Sequence, residues 1–225
     1  MPTPVEYKAP FCSGGFYHIV CKSTDGLILF PEAIDHTTFM KRFRQFTGPF
    51  LDIWSYSLLN NHTHHISKIK PVDAIFTYGN ELIDGTRTAA MKSFLTNPKN
   101  ESIFDSMIER QMNSMLVSYA NYYNNKYERK GGLFQSPFRR TQIHDDSHLQ
   151  QAIIYVNANA QKHHLASDFK SYPYSSYNAT ISNNCEYINA EDFLNFFGGV
   201  EKFISLHESQ VSYYYSGVWP SSKLE

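Results

Sequence analysis

At 225 residues the chain is long enough for one domain with a substantial core, or for a catalytic domain carrying an appended tail. A net charge of −1 excludes a protein held to nucleic acid by overall charge alone, and with no apolar run of membrane-spanning length no membrane partner is expected. Cys12, Cys21 and Cys185 are odd in number and lack a Cys-x-x-Cys spacing, which argues against a disulfide framework or a cysteine-based zinc site.

Residues 1–15 lack the basic start and apolar stretch of a secretory signal, so a cytoplasmic location is expected. Phe16 to Lys22 (FYHIVCK) has the aromatic and β-branched content of a strand, with a turn near Gly26. Asp35 reads as the cap of a helix over 35–46, in which Phe39, Phe43 and Phe46 recur at helical spacing before Pro49 ends it. Residues 53–59 and 63–69 predict two strands joined through the turn-forming pair Asn60-Asn61. Residues 71–100 hold Gly79, Gly85 and Pro98 and no clean period, and they predict an irregular insertion with one or two short helices.

A long helix is expected over about 102–126, with Ile103, Met107, Ile108, Met112, Met115, Leu116 and Tyr119 as its apolar stripe. Gly131-Gly132 breaks the chain, and Leu133 to His144 reads as extended. Ser147 then caps a helix over 148–163 whose Leu149, Ala152, Ile153 and Val156 point inward. Tyr172 to Tyr177 reads as a loop, and helices at 190–197 and near 200–209 lead into an aromatic, weakly patterned end. Leu224-Glu225 reads as a vector-derived remnant and takes no part in the functional argument.

Two short signatures carry the chemistry. His62 and His64 stand two apart in a predicted strand, so their rings share one side of a sheet. Tyr155 and Asn159 stand four apart in a predicted helix and share a face. If the helix crosses the sheet beside the histidine strand, two imidazoles, a carboxamide and a phenol converge. Those are the parts of a metal-assisted tyrosine nucleophile acting on a phosphodiester. A phenol with a pKa near ~10 is a poor nucleophile at neutral pH. A divalent ion held by His62, His64 and the Asn159 carbonyl would polarise the phosphate and stabilise the charge that develops. Mixed nitrogen and oxygen ligands with open positions suit Mg2+ or Mn2+, whereas nitrogen ligands alone favour zinc or nickel. The expected product is a covalent phosphotyrosine at Tyr155, which conserves the bond energy for rejoining. His65, His163 and His164 are read as bystanders, the last two suiting a helix C-terminus.

A second pattern lies between the signatures. Lys126, Arg129, Lys130, Arg139 and Arg140 interleave with Tyr122, Tyr123, Tyr127, Phe134 and Phe138, a mixture that suits phosphate contacts and base stacking. It equally describes a solvated surface beside buried aromatics.

The order of these segments resembles the single-tyrosine HUH transposases, the insertion-sequence-200-like group, and within it the REP-associated tyrosine transposase branch. FYHIVCKSTDGLILF resembles that family's first strand and turn, and LLNNHTHHISKI resembles its Met-Pro-Asn-His-x-His block. GGLFQSPFRR, YVNANAQKHHLA and YPYSSY resemble, in order, its Gly-x-x-Phe-Gln-x-x-Phe segment, its Tyr-Ile-His-x-Asn-Pro helix and its Tyr-Pro-Trp-Ser-Ser-Tyr block. The chain departs from the family pattern at Asn60, Thr63, Asn157 and Ala160, which stand where a proline, a bulky hydrophobic residue, a histidine and a proline are usual.

The resemblance spans roughly residues 14–180, so residues 1–180 are read as the catalytic domain and 181–225 as a C-terminal helical extension. It implies an α+β fold with a ferredoxin-like antiparallel sheet and packed helices. It further implies His62, His64 and Asn159 as metal ligands, Tyr155 as nucleophile, and single-stranded DNA carrying an imperfect hairpin as substrate. Cleavage would leave a 5′-phosphotyrosine and a free 3′-hydroxyl. Lys126, Arg129, Lys130, Phe134, Arg139 and Arg140 are the candidate DNA contacts, with Arg139 and Arg140 leading. The family relation leaves both monomer and homodimer open. The expected function is thus a metal-dependent endonuclease and strand transferase; the alternatives are a domesticated hairpin-DNA-binding protein that does not cut and, less favoured, a histidine-held zinc domain.

Overall fold

Alternation along β1 (Phe16–Lys22) sets the layering of the molecule. Tyr17, Ile19 and Cys21 are fully buried toward one side of the strand, which sends His18 to the other. With β2 (Leu51–Leu58), β3 (His62–Ile69) and β4 (Arg139–Ile143) it forms an antiparallel sheet in the order β2-β3-β1-β4. This is a computed structural model, and it describes residues 7–83, 85–182, 186–188 and 190–213. Cys185, the aromatic chain end and Leu224-Glu225 lie outside the described residues.

Helix α1 (Ala33–Thr47) joins β1 to β2, and a long helix closes the path from β3 to β4, the βαββαβ order of a ferredoxin-like sheet. Between β3 and that helix stand α2 (Val72–Glu81) and α3 (Ala89–Thr96). The long helix, α4, spans Glu101–Lys126. The 71–100 segment thus holds the short helices expected of it and is packed rather than irregular: Ile75, Met91 and Phe94 join the same core as α4. Gly79 permits this packing, because a Cβ there would stand 2.6 Å from the Met91 sulfur.

The sheet separates two cores. On one side Tyr17, Ile19 and Cys21 meet Phe39 and Phe43 of α1 and Met112, Met115 and Tyr119 of α4. His65 belongs to this side, with its ring 4.3 Å from that of Phe43 and its Nε2 3.1 Å from Thr63 Oγ1. On the other side lies α5 (Asp146–Lys162), covered by α6 (Ser176–Ile181), α7 (Ala190–Phe197) and α8 (Val200–Tyr213). Ile153 and Val156 of α5 share this core with Phe193, Phe197 and Phe203. Every residue of α5 from Ala152 to Ala160 is buried, so the helix is enclosed on all sides rather than lying half in water. Among the described residues no helix is long and apolar enough to cross a membrane.

Two helix starts differ from the sequence expectation. Asp145, not Ser147, caps α5, its carboxylate accepting from the His148 amide at 2.8 Å. Asp35 is not the cap of α1 but its third residue, closing a capping box with Glu32. Its buried carboxylate also receives Lys126 Nζ at 2.8 Å, Tyr127 Oη at 2.6 Å and Tyr122 Oη at 2.8 Å, tying α1 to the end of α4.

Candidate active site

The strand pairing fixes which side chains meet α5. His62 and His64 on β3 lie opposite Lys22 and Val20 of β1, and their neighbour on the same face, Ile66, lies opposite His18. His62, His64 and His18 thus face α5, while His65 points into the opposite core. The ring of Tyr155 sits edge-on to both His64 and His18, with centroids 5.7 and 6.0 Å away.

Tyr155, Asn159 and His163 recur every four residues and form one stripe of the helix. At the far end of the stripe, His163 stands 4.9 Å from His62, ring to ring. Since Tyr155 abuts His64 and His163 abuts His62, Asn159 lies on the turn between them, facing the histidine pair. The crossing of helix and strand required by the two signatures is present. A small cavity of about 300 Å³, lined among others by Asn60, Asn61, His62 and His163, opens beside it.

The polar groups here are held in specific states. Burial pushes the His18 imidazole down to about 3, and burial with the neighbouring imidazoles of His18, His62 and His163 pushes His64 well below its usual range. Both rings are therefore neutral at physiological pH, the state in which imidazole binds metals. His64 Nδ1 is 2.8 Å from His18 Nε2, and His62 Nδ1 is 2.7 Å from Asn61 Oδ1. Among the described residues, His64 Nε2 and both polar atoms of the Asn159 carboxamide are buried without a hydrogen-bond partner. Such atoms are costly in a folded protein and concentrate where a ligand is meant to arrive.

Among the described residues no three His, Cys, Asp or Glu side chains are arranged to hold a metal ion. A cation at this place would thus need an amide oxygen beside the two imidazoles. The orphaned Asn159 oxygen and His64 nitrogen fit that requirement, and the mixed donor set suits a cation with open positions. Lys162 adds a positive charge 5.2 Å from the Tyr155 ring centre. Tyr155 itself is only 1% exposed, so the arrangement is closed.

The basic and aromatic segment is a different matter, and most of it is committed inside the fold. Arg140 is buried between Phe11 and Phe138, donates to the Ala9 carbonyl at 2.7 Å, and pairs with Asp105 and Glu109 at 3.0 and 2.9 Å. It is not available to DNA, which corrects its place among the leading candidates. Lys126 is engaged by Asp35 and Glu32. Arg129 braces the turn after α4 by donating to Asn124 and to the Gly131 and Gly132 carbonyls. Phe134 packs against Phe39 and Tyr119. Lys130 is exposed, and Arg139 is half-buried with its guanidinium 5.3 Å from the Tyr7 ring centre.

Sequence reasoning passed over His18, Asn61 and His163 as members of the site. The signal for His18 was its place in β1, opposite in phase to the buried Tyr17, Ile19 and Cys21. For His163 it was the eight-residue interval from Tyr155.

No family model matches the chain, and no curated protein matches it. Among solved structures, it is similar to a REP-associated tyrosine transposase bound to a REP hairpin, at a TM-score of 0.50 and 12% sequence identity. The match covers 79% of this chain and 85% of that one. At this identity the likeness shows the fold, an antiparallel sheet with helices packed on it.

Proposed function

We propose that this chain is a metal-dependent, single-stranded-DNA endonuclease and strand transferase that acts at hairpin-containing DNA through a tyrosine nucleophile. The observation that carries the proposal is the stripe Tyr155–Asn159–His163 of α5 laid along His64 and His62 of β3. The similar fold of a transposase bound to a hairpin supports the choice of substrate.

In this reading Tyr155 Oη forms a bond to phosphorus as the bond from phosphorus to the 3′ oxygen breaks. The phenolic proton is given up and the departing oxygen takes one on, leaving a 3′-hydroxyl. One phosphodiester is exchanged for another, so rejoining needs no nucleoside triphosphate. His62, His64 and Asn159 would hold Mg2+ or Mn2+, whose chemistry there is to draw charge from the phosphate oxygens. Lys162 supplies a fixed positive charge at the Tyr155 ring. Exposed Lys22, opposite His62 in the sheet, and Lys130 would meet the DNA backbone. An enzyme of this kind works in the cytoplasm on DNA.

The burial of Tyr155 favours a second reading, a hairpin-binding protein that does not cut. One experiment separates the two: purified protein is incubated with labelled single-stranded hairpin DNA and Mn2+ or Mg2+, then denatured. A denaturation-resistant adduct in wild type and none in Tyr155→Phe, with hairpin affinity retained, supports the transferase. Hairpin binding with no adduct from either protein supports the second reading.

A further inference from the structure

We infer that His18 is a positioning residue that fixes the tautomer of His64, so that the His64 Nε2 lone pair faces the cation site. The inference rests on the metal-dependent reading above and adds to it a residue outside the ligand set. Its basis is geometric. His18 Nε2 and His64 Nδ1 are 2.8 Å apart and both rings are buried, so one proton is shared between these two nitrogens.

Only two arrangements exist for that proton. If His18 Nε2 carries it, His64 must keep its own proton on Nε2, which then points a buried N–H at the site with no acceptor among the described residues. If His64 Nδ1 carries it and donates to His18, the Nε2 of His64 is an unprotonated ligand atom. Only the second arrangement is compatible with a cation. His62 repeats the pattern, since the oxygen of Asn61 can only accept and therefore selects the Nδ1–H form of that ring. Holding a ligand imidazole through its other nitrogen orients the ring and makes it a better donor. His18 comes from β1, a strand that supplies neither ligand nor nucleophile, so its contribution to the site is this contact together with the edge of the Tyr155 ring.

The test reads the proton directly. Long-range 1H–15N spectra of the full chain without metal should show His64 protonated on Nδ1 in wild type. His18→Phe removes the acceptor while keeping a ring in the core, and should move His64 toward the Nε2–H form. Mn2+ affinity, followed by loss of the free-ion electron paramagnetic resonance signal, should fall roughly 10- to 100-fold in that variant. His18→Gln restores an acceptor and should recover most of the affinity, which a purely structural role for the ring would not. Native circular dichroism of each variant establishes that it is folded. His64 found as Nε2–H in wild type, or a folded His18→Phe binding Mn2+ within twofold of wild type, overturns the inference while leaving the metal centre standing. Wild type that takes up no Mn2+ overturns both.

Discussion

Asn157 Nδ2 lies 3.0 Å from His207 Nε2, so the helix that carries Tyr155 is bonded, out of reach of solvent, to the C-terminal helix α8. On the other side of the same carboxamide, Asn157 Oδ1 accepts from Ser176 Oγ at 2.7 Å and from Ser55 Oγ at 3.2 Å. His207 completes the chain by donating from Nδ1 to the Phe203 carbonyl at 2.8 Å. One amide thus connects β2, α5, α6 and α8, and it does so at the position where the resembled family usually carries a histidine. The extension is consequently part of the setting of α5.

His207→Leu should destabilise the fold by about 1–3 kcal/mol, because it leaves the Asn157 amide buried without an acceptor. Asn157→Leu should cost a similar amount: Ser55 and Ser176 keep each other at 3.0 Å, but the Ser55–Ser176 pair loses its common acceptor and His207 Nε2 loses its donor. Urea denaturation of both and of the double variant gives the coupling. The double variant should lose clearly less than the sum of the singles. Strict additivity would show that the two side chains do not act as a pair.

The same histidine makes stability depend on pH. Burial lowers the His207 imidazole to about 4, partly offset by its bond to the Phe203 carbonyl. In the unfolded chain it titrates near ~6.5. Between these values the unfolded chain binds the proton and the native one does not, so acid favours unfolding. The contribution of His207 is complete above about pH 6.5, is lost as pH falls toward 4, and amounts to at most about 3 kcal/mol. His36, also lowered to about 4 chiefly by burial, acts with the same sign. Thermal denaturation from pH 7.5 to 4.5 should show a falling midpoint, with a shallower slope in His207→Leu. An unchanged slope in that variant would remove His207 as a source.

Arg140 should matter for folding and not for DNA. Its buried guanidinium pairs with Asp105 and Glu109, whose carboxylates are partly exposed at 21% and 38%. Arg140→Met leaves both carboxylates without their cation; because water reaches both carboxylates, it should cost about 1–3 kcal/mol, below the loss for a fully buried pair. Lys130→Gln should leave stability within about 0.5 kcal/mol and weaken hairpin binding, reducing its salt dependence by about one counterion. Hairpin affinity measured across a salt series on folded protein checks both. A lower salt slope in Arg140→Met than in Lys130→Gln would reverse the assignment.

These cases mark what the sequence makes legible. The period of two in HTHHISKI puts His62 and His64 on one face, and the period of 3.6 pairs Tyr155 with Asn159; both are local rules, and both hold in the structure. What brings Tyr155 against His64 is the crossing of α5 over β3, a long-range relation that no local pattern encodes. The same period of two, carried through β4, also implies that Arg139 and Arg140 face opposite sides of the sheet. Arg140, the inward member, is structural. In segment 71–100 the one or two short helices expected are present, but their bounds and packing are not legible: Ile75 of α2 and Met91 and Phe94 of α3 join the core of α4, and the periodicity of each helix spans too few turns to fix its face.

Asn159 provides the sharpest contrast between stability and the proposed chemistry. Its carboxamide is fully buried and, among the described residues, neither of its polar atoms has a hydrogen-bond partner, so folding without a ligand carries a desolvation cost. Asn159→Leu has nearly the same shape and no polar atoms to desolvate. It should raise the stability of the metal-free protein by about 1–2 kcal/mol. Under the proposed reading the gain reverses with Mn2+ present: wild type is stabilised by binding, by about 2.7 kcal/mol at a hundredfold excess over its dissociation constant, and the variant is stabilised far less. Thermal melts of both proteins with chelator and with Mn2+ form a four-way comparison. A metal-free variant no more stable than wild type would mean that the carboxamide carries no penalty. A full Mn2+ shift in Asn159→Leu would mean that its oxygen is not a ligand.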